Sequence, residues 1–332
     1  MDVSYPTSNP IGVSRTANSS VTDDAVDVDS NPVRASTADW ASASDRRTAE
    51  VHRSLAWFNA RRLAPGQVSD SWERELDMEY RMRLTEGRFL EQERRKVRLL
   101  VQDIPNDPEA FVMWFEGLKT AGPGQGDPLF TWLADKASME QMRWFLTQEA
   151  AGEAGFDDLV AMAQVKLPTR PKLEMARNYW DEMGRGHERG MHGPMLSAVV
   201  EDLDLRPTIE NTIWQSLALA NLMVGLATNR RYAYHAIGAL GVIELTAPTR
   251  VGLVNEGLKR LDIEFETRKY FQLHATLDIE HSKAWNEEVL YPLVKEDPST
   301  MQPLAEGALM RLACGASCFE QYRRHFGLAR LH

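Results

Sequence analysis

Residues 271–281, which read FQLHATLDIEH, carry two histidines and an aspartate at helical spacing. At 3.6 residues per turn, His274, Asp278 and His281 project from one face of one helix, because they stand at positions i, i+4 and i+7. Asp278-x-x-His281 has the spacing of the carboxylate-x-x-His half-site with which helical bundles hold metal ions. Chance produces the whole pattern in about one chain in a hundred. A polar helix face with hydrogen-bonded histidines is the alternative.

A second stretch, residues 178–192, reads NYWDEMGRGHERGMH. The pattern predicts a helix that ends near Glu182, a glycine-containing turn, and a new helix that His192 opens. A carboxylate at the C-terminal end of a helix faces the negative end of the helix dipole, so a cation nearby would stabilise it. A metal ion could be that cation, and a solvated loop with incidental charges is the alternative.

A third stretch, residues 144–153, reads WFLTQEAAGE. Glu149 follows an apolar run, and Glu153 lies one helical turn later on the same face. Either carboxylate could point into the protein. A pair of solvated glutamates is the alternative.

The three stretches, in this order and at this separation, resemble the haem-oxygenase-like diiron oxidase and oxygenase family. The resemblance covers about residues 138–326 and implies an all-α, haem-oxygenase-like helical bundle. Carried over to this sequence, the metal ligands are Glu149, Glu182, His192, His274, Asp278 and His281. Glu149 is preferred to Glu153 as the first carboxylate, because its separation from Glu182 suits the family.

The resemblance also implies a chemistry. It predicts two iron ions per chain, O2 as co-substrate, and a small-molecule substrate that is oxidised by N-oxygenation of an amine or amino acid or by oxidative C–C cleavage. An external electron donor is compatible with it. Carboxylate oxygens and imidazole nitrogens without thiolates suit iron or manganese and argue against a structural zinc site.

Glu244 is a lone carboxylate in an otherwise apolar stretch, where burial is costly without a partner. It is a candidate for a further metal ligand or for a group that binds a substrate amine. A salt bridge to Arg250 remains equally open. His235 is interpreted as a structural histidine, and a supporting position next to the metal ligands is the alternative.

Three regions follow from the composition along the chain. Residues 1–43, rich in Ser, Thr, Asp and Asn, predict a disordered tail. Residues 44–105 predict an N-terminal helical extension, and residues 106–328 the bundle. Prolines mark several breaks between predicted helices, among them Pro207, which opens a helix, and Pro248, which follows the end of one. Residues 207–228 are predicted as one helix.

The bulk composition limits the partners. The 332 residues carry a net charge of −10, which argues against nucleic acid and anionic membrane as partners. Two cysteines, Cys314 and Cys318, predict no disulfide framework and fit the cytoplasm. The absence of a long apolar run predicts no transmembrane helix. The 45–100 region is the expected surface for a homodimer.

Two alternatives to an iron oxidase stay open. One is a metal-free enzyme of the same fold, similar to thiaminases or to the quinone-cofactor synthase, in which the polar groups bind an organic substrate directly. The other is a non-catalytic helical interaction protein whose charged 70–100 segment docks a partner.

Overall fold

The computed structural model describes residues 43–153 and 155–328, which contain helices and no β-strand. The predicted all-α class is therefore confirmed, whereas all but the last residue of the expected tail lies outside the described residues. The helices are α1 (Ala43–Leu63), α2 (Trp72–Val97), α3 (Pro108–Ala121), α4 (Pro128–Asp135), α5 (Met139–Gly152), α6 (Phe156–Ala163), α7 (Thr169–Glu182), α8 (His192–Asp202), α9 (Trp214–Thr228), α10 (Ala233–Arg260), α11 (Phe265–Ala284), α12 (Tyr291–Glu296) and α13 (Met301–His325). A π-helical segment, Trp285–Leu290, joins α11 to α12.

Helix α10 is the central element of the bundle and packs against α4, α11 and α13. The predicted break at Pro248 is wrong, because α10 runs through this residue without interruption. Packing on both sides of the proline outweighs the loss of one backbone hydrogen bond. As a result, Glu244 and Arg250 lie on one continuous helix.

The stretch 230–260 is long and apolar enough to cross a membrane, although no such segment was expected from the sequence. In the structure 61% of its most apolar window is buried inside the protein. Burial in the core of the bundle accounts for this composition.

The N-terminal helices α1 and α2 pack on α9 and α13. Leu55 of α1 and Leu90 of α2 are fully buried in the same hydrophobic cluster as the core of the later helices. Asn59 of α1 donates a hydrogen bond from Nδ2 to Oδ1 of Asn221 in α9, at 2.8 Å. The region predicted as an extension is thus joined to the bundle through apolar and polar contacts.

Two further differences from the prediction concern α6 and α9. Helix α6 was not predicted, and α9 starts at Trp214 rather than at residue 207. In the segment before α9, Thr208 and Asn211 exchange hydrogen bonds between their side chains and each other's backbone N–H groups. Such local side-chain bonds compete with helix formation and hold this segment in a turn.

Candidate metal centre

Helix α11 supplies the first three side chains of the site. His274, Asp278 and His281 are all buried on the face of α11 that turns toward the core. His274 donates a hydrogen bond from Nδ1 to the carbonyl oxygen of Tyr270 at 2.7 Å, so its Nε2 is directed into the site. Nε2 of His281 lies 3.3 Å from a carboxylate oxygen of Asp181, which leaves Nδ1 directed inward. Both imidazoles are therefore oriented by a second hydrogen bond, as metal-binding histidines usually are.

A tight hairpin between α7 and α8 brings Glu182 next to His192. Met183 and Met191 pair in an isolated antiparallel bridge, so the residues before and after them become neighbours. Gly184 has a φ of +61°, and a Cβ there would lie 2.5 Å from the backbone carbon of Gly190. Only glycine fits this close approach. Nδ1 of His192 consequently lies 2.8 Å from Oε2 of Glu182.

The two glutamates near the end of α5 have different environments. Glu153 lies 2.9 Å from Nε2 of His192 through Oε1 and also accepts hydrogen bonds from the backbone of Gly155 and Phe156. Glu149 instead accepts a hydrogen bond from the hydroxyl of Tyr322 at 2.8 Å. The structure thus places Glu153, and not the preferred Glu149, against the cluster.

Glu244 joins the cluster from α10. Asn178 donates a hydrogen bond to its Oε1 at 2.6 Å, and its Oε2 lies 3.5 Å from Nδ1 of His281. Among the described residues Glu244 forms no ion pair with Arg250, so the salt-bridge alternative is wrong. His235, which contacts Glu306 at 3.0 Å, is outside the cluster and has a structural partner as predicted.

Two groups of side chains in this cluster could each hold a metal ion, and both contain Glu182. Glu182, His192 and His274 form the first group; Glu182, Glu244 and His281 form the second. Within each group the possible ligand atoms lie within 4.8 Å of one another, and all members are buried. Asp278 Oδ1 and His281 Nδ1 are buried without a hydrogen-bond partner. Buried polar atoms normally have a hydrogen-bond partner. The oxygen of Asp278 and the nitrogen of His281 can each bind a metal ion, so their lack of a partner fits a bound cation.

The pKa values of the site residues are shifted because several buried carboxylates lie close together. Burial alone would lower the pKa of His281, but the neighbouring Glu244 and Glu182 raise it to about 9. Burial raises the pKa of Asp278 well above the usual range of an aspartate, and Glu244 and Glu182 raise it further. Protons therefore compensate buried negative charge here, and a bound cation would displace them.

Three neighbours of the cluster were missed by the sequence analysis. Asn178 contacts Glu244, Asp181 contacts His281, and the hydroxyl of Tyr270 lies 3.3 Å from Nε2 of His192. Asn178 and Tyr270 each precede a predicted site residue by one helical turn. That spacing could have found them.

A cavity of about 170 Å³ opens beside the cluster. Glu153, Glu182, His192, Glu244, His274 and Asp278 line one part of it. Apolar side chains, among them Leu219, Met223 and Phe271, line much of the rest. A small organic molecule in this cavity would contact the cluster directly.

Comparison with known protein families matches residues 143–316, slightly more than half of the chain, to the family described as iron-containing redox enzyme. The matched range contains every side chain of the two groups and Glu153 and Asp278 beside them. No match is found among the curated proteins.

Proposed function

Because the chain belongs to the family of iron-containing redox enzymes, we propose that it is a non-haem diiron oxidase or oxygenase that uses O2 to oxidise a small molecule. The observation that carries this proposal is the pair of buried three-residue groups that share Glu182. Glu182 directs Oε2 toward His192 of the first group and Oε1 toward His281 of the second, so it would help to hold both ions. The unpartnered atoms of Asp278 and His281 support the proposal further, because a bound cation would complete both.

The donor set divides between two iron ions. Glu182, His192 and His274 would hold the first, with Glu153 on the far side of His192. Glu182, Glu244 and His281 would hold the second, with Asp278 beside them. When ionised, the carboxylates of this set carry four negative charges, which two ferrous ions would balance; they are Glu153, Glu182, Glu244 and Asp278.

Iron would supply the activation of O2, which amino-acid side chains cannot perform. The chain orients the donor atoms: Asp181 and the Tyr270 carbonyl fix the rings of His281 and His274. Burial raises the pKa of Tyr270, so its hydroxyl stays protonated and offers a hydrogen-bond donor beside the cluster. The apolar wall of the cavity keeps water away from the bound substrate.

We further propose that the substrate is an amine or an amino acid, and that the outcome is N-oxygenation or oxidative C–C cleavage. The acidic side chains that line the cavity beside the metal groups support this choice, because they favour an ammonium group close to the cluster.

The test is a titration of the anaerobically purified protein with ferrous iron, followed by addition of O2. We expect two irons per chain and a transient visible absorbance band. His192→Ala, His274→Ala and His281→Ala should each lose most of the bound iron, because each removes a ligand. His187→Ala is the control, since His187 is exposed in the adjacent loop. A protein that binds no iron would overturn the proposal in favour of a metal-free or non-catalytic protein.

A further inference from the structure

The end of the cavity opposite the metal groups contains two arginines. Arg250 of α10 and Arg311 of α13 both line the cavity, together with Glu149, Ser216 and Tyr322. The guanidinium of Arg250 lies over the rings of Phe130 and Phe319, with its carbon 6.0 and 5.6 Å from their centroids. These contacts direct Arg250 toward α4 and α13, away from the cluster.

Neither guanidinium is paired with a polar group of the described residues. Among the described residues, neither Arg250 nor Arg311 forms a hydrogen bond or an ion pair, and Arg311 Nε is buried without a partner. Arg260, at the end of the same helix as Arg250, shows the contrast. Its guanidinium donates hydrogen bonds to the backbone carbonyls of Leu133, Ala134 and Ala137. A guanidinium without such partners in a largely apolar cavity lowers the stability of the folded protein, unless a ligand supplies the missing hydrogen bonds and negative charge.

This end of the cavity carries a surplus of positive charge. Burial and the neighbouring Arg311 together lower the pKa of Arg250 to about 10, and the group stays protonated at neutral pH. Glu149 is the acidic neighbour of both arginines, and burial raises the pKa of its carboxyl group. One carboxylate at most therefore faces two cations, which leaves at least one positive charge for a ligand.

We propose that Arg250 and Arg311 together bind a carboxylate group of the substrate, an inference that rests on the proposed oxidase function and narrows its substrate class. A planar guanidinium matches a carboxylate through two parallel hydrogen bonds, and one carboxylate neutralises the minimum surplus of one charge. The substrate is then a small carboxylic acid or amino acid whose carbon chain lies against the apolar wall.

The geometry also orients this substrate. Glu244 and Arg250 are six residues apart on α10, which corresponds to about 9 Å along the helix axis. A carboxylate held at Arg250 leaves the opposite end of the molecule near Glu244 and the other residues of the cluster. Oxidation would therefore occur at a carbon or nitrogen atom remote from the carboxylate.

The test compares ligands that differ only in charge. Hexanoate and hexanamide, and L-norleucine and its primary amide, are titrated calorimetrically into the full-length, Fe(II)-loaded protein without O2, so that no turnover takes place. Butanoate and octanoate with their amides extend the range of chain lengths. We expect each carboxylate to bind at least about tenfold more tightly than its amide, because hydrogen bonds to charged groups contribute that much.

Variants assign the preference to the two arginines. Arg250→Gln and Arg311→Gln should each abolish it while the iron content stays unchanged, and Arg250→Lys should keep part of it. Arg260→Gln, which removes an arginine satisfied by the backbone, should leave the preference intact even if the protein is less stable. Equal binding of acid and amide across all lengths, binding of neither, or a preference that survives in both Gln variants would overturn the inference.

The outcomes separate this inference from the proposed function. A protein without iron that still prefers carboxylates through Arg250 and Arg311 would refute the oxidase proposal and keep the anion site. An iron-containing protein that consumes O2 but shows no preference for carboxylates would support the oxidase proposal and refute the anion site.

Discussion

Glu149 and Glu153 lie one turn apart, yet they take part in different networks. The reason is where α5 ends: Gly152 is its last residue, and Glu153 follows as the cap that accepts hydrogen bonds from Gly155 and Phe156. That position brings its carboxylate to His192. Glu149, still inside the helix, points to Tyr322. Helical spacing alone places both on one face and cannot separate these roles.

This difference leads to a prediction for a matched pair of substitutions. Glu153→Gln should weaken iron binding by about tenfold or more, because it removes a carboxylate in contact with His192. Glu149→Gln should leave the iron content unchanged, since Glu149 contacts no member of the cluster. Metal analysis after dialysis against a weak chelator measures both. Loss of iron in Glu149→Gln alone would reverse the assignment.

At the scale of helices, close packing of α11 on α10 positions the metal groups. Gly241 lies one turn before Glu244, and a Cβ at Gly241 would lie 2.5 Å from Nε1 of Trp285. Trp285 starts the π-helical segment that follows His281 on the same chain. A glycine at this contact therefore allows α11 to approach α10 closely enough for His281 to face Glu244.

Gly241→Ala should accordingly lower the free energy of unfolding by about 1–3 kcal/mol, the usual cost of overpacking a core. It should also reduce iron binding, because His281 and Glu244 would separate. Gly252→Ala is the matched control on the same helix: its Cβ would lie 3.9 Å from the nearest neighbour, Ala275. Alanine there should be neutral or stabilising by up to about 1 kcal/mol. Urea unfolding with iron analysis distinguishes the two, and equal behaviour would contradict the argument.

The contact between α1 and α9 should depend on pH. His52 of α1 is buried, stacks on Trp214 at 5.7 Å between ring centroids, and meets the edge of Phe89 at 4.7 Å. Burial, and to a lesser degree Lys96, lower its pKa from 6.5 to about 4. Below pH 6.5 the unfolded chain takes up a proton that folded His52 does not. Stability is therefore lost as the pH falls from 6.5 toward 4.

Since one pKa unit corresponds to about 1.4 kcal/mol, this loss amounts to about 3 kcal/mol at pH 4. His52→Phe keeps an aromatic ring against Trp214 and removes the titration. The free energy of unfolding of both proteins is measured with urea at pH 7 and at pH 4. Between these two pH values, the variant should lose about 3 kcal/mol less than the unmodified protein. Parallel pH profiles for the two proteins would show that His52 does not control the α1 contact.

At the scale of the whole molecule, short stretches of sequence predict the all-α fold, the shared face of His274, Asp278 and His281, and the turn between Glu182 and His192. The meeting of these two groups is implied only by the family resemblance. Helical spacing within α11 and the glycine turn after Glu182 act locally, so the sequence predicts them. The continuity of α10 through Pro248, and the convergence of Arg250 with Arg311, depend on packing between helices distant in the chain. No local pattern contains that information, which is why the sequence does not predict the two arginines at this end of the cavity.

The surface of α2 bears on how the whole molecule assembles. Trp72, Leu76, Tyr80 and Leu84 stand on successive turns of α2, and each is between 42% and 64% exposed. Large apolar side chains that follow one another along a helix are typical of a protein contact. A two-fold axis near Met78 would set Trp72 of one copy close to Leu84 of the other. Such a contact is self-complementary, as a symmetric dimer requires.

We therefore expect a homodimer in solution, which sedimentation equilibrium measures directly. The double substitution Leu76→Glu with Tyr80→Glu should yield a monomer, because it places four like charges between the two copies of α2. Leu173→Glu is the control for placing a charge on an exposed leucine elsewhere. Leu173 on α7 is 66% exposed and lies far in sequence from the four exposed side chains of α2. This variant should remain a dimer. A monomeric unmodified protein, or a double variant that remains a dimer, would refute the proposed contact between two copies of α2.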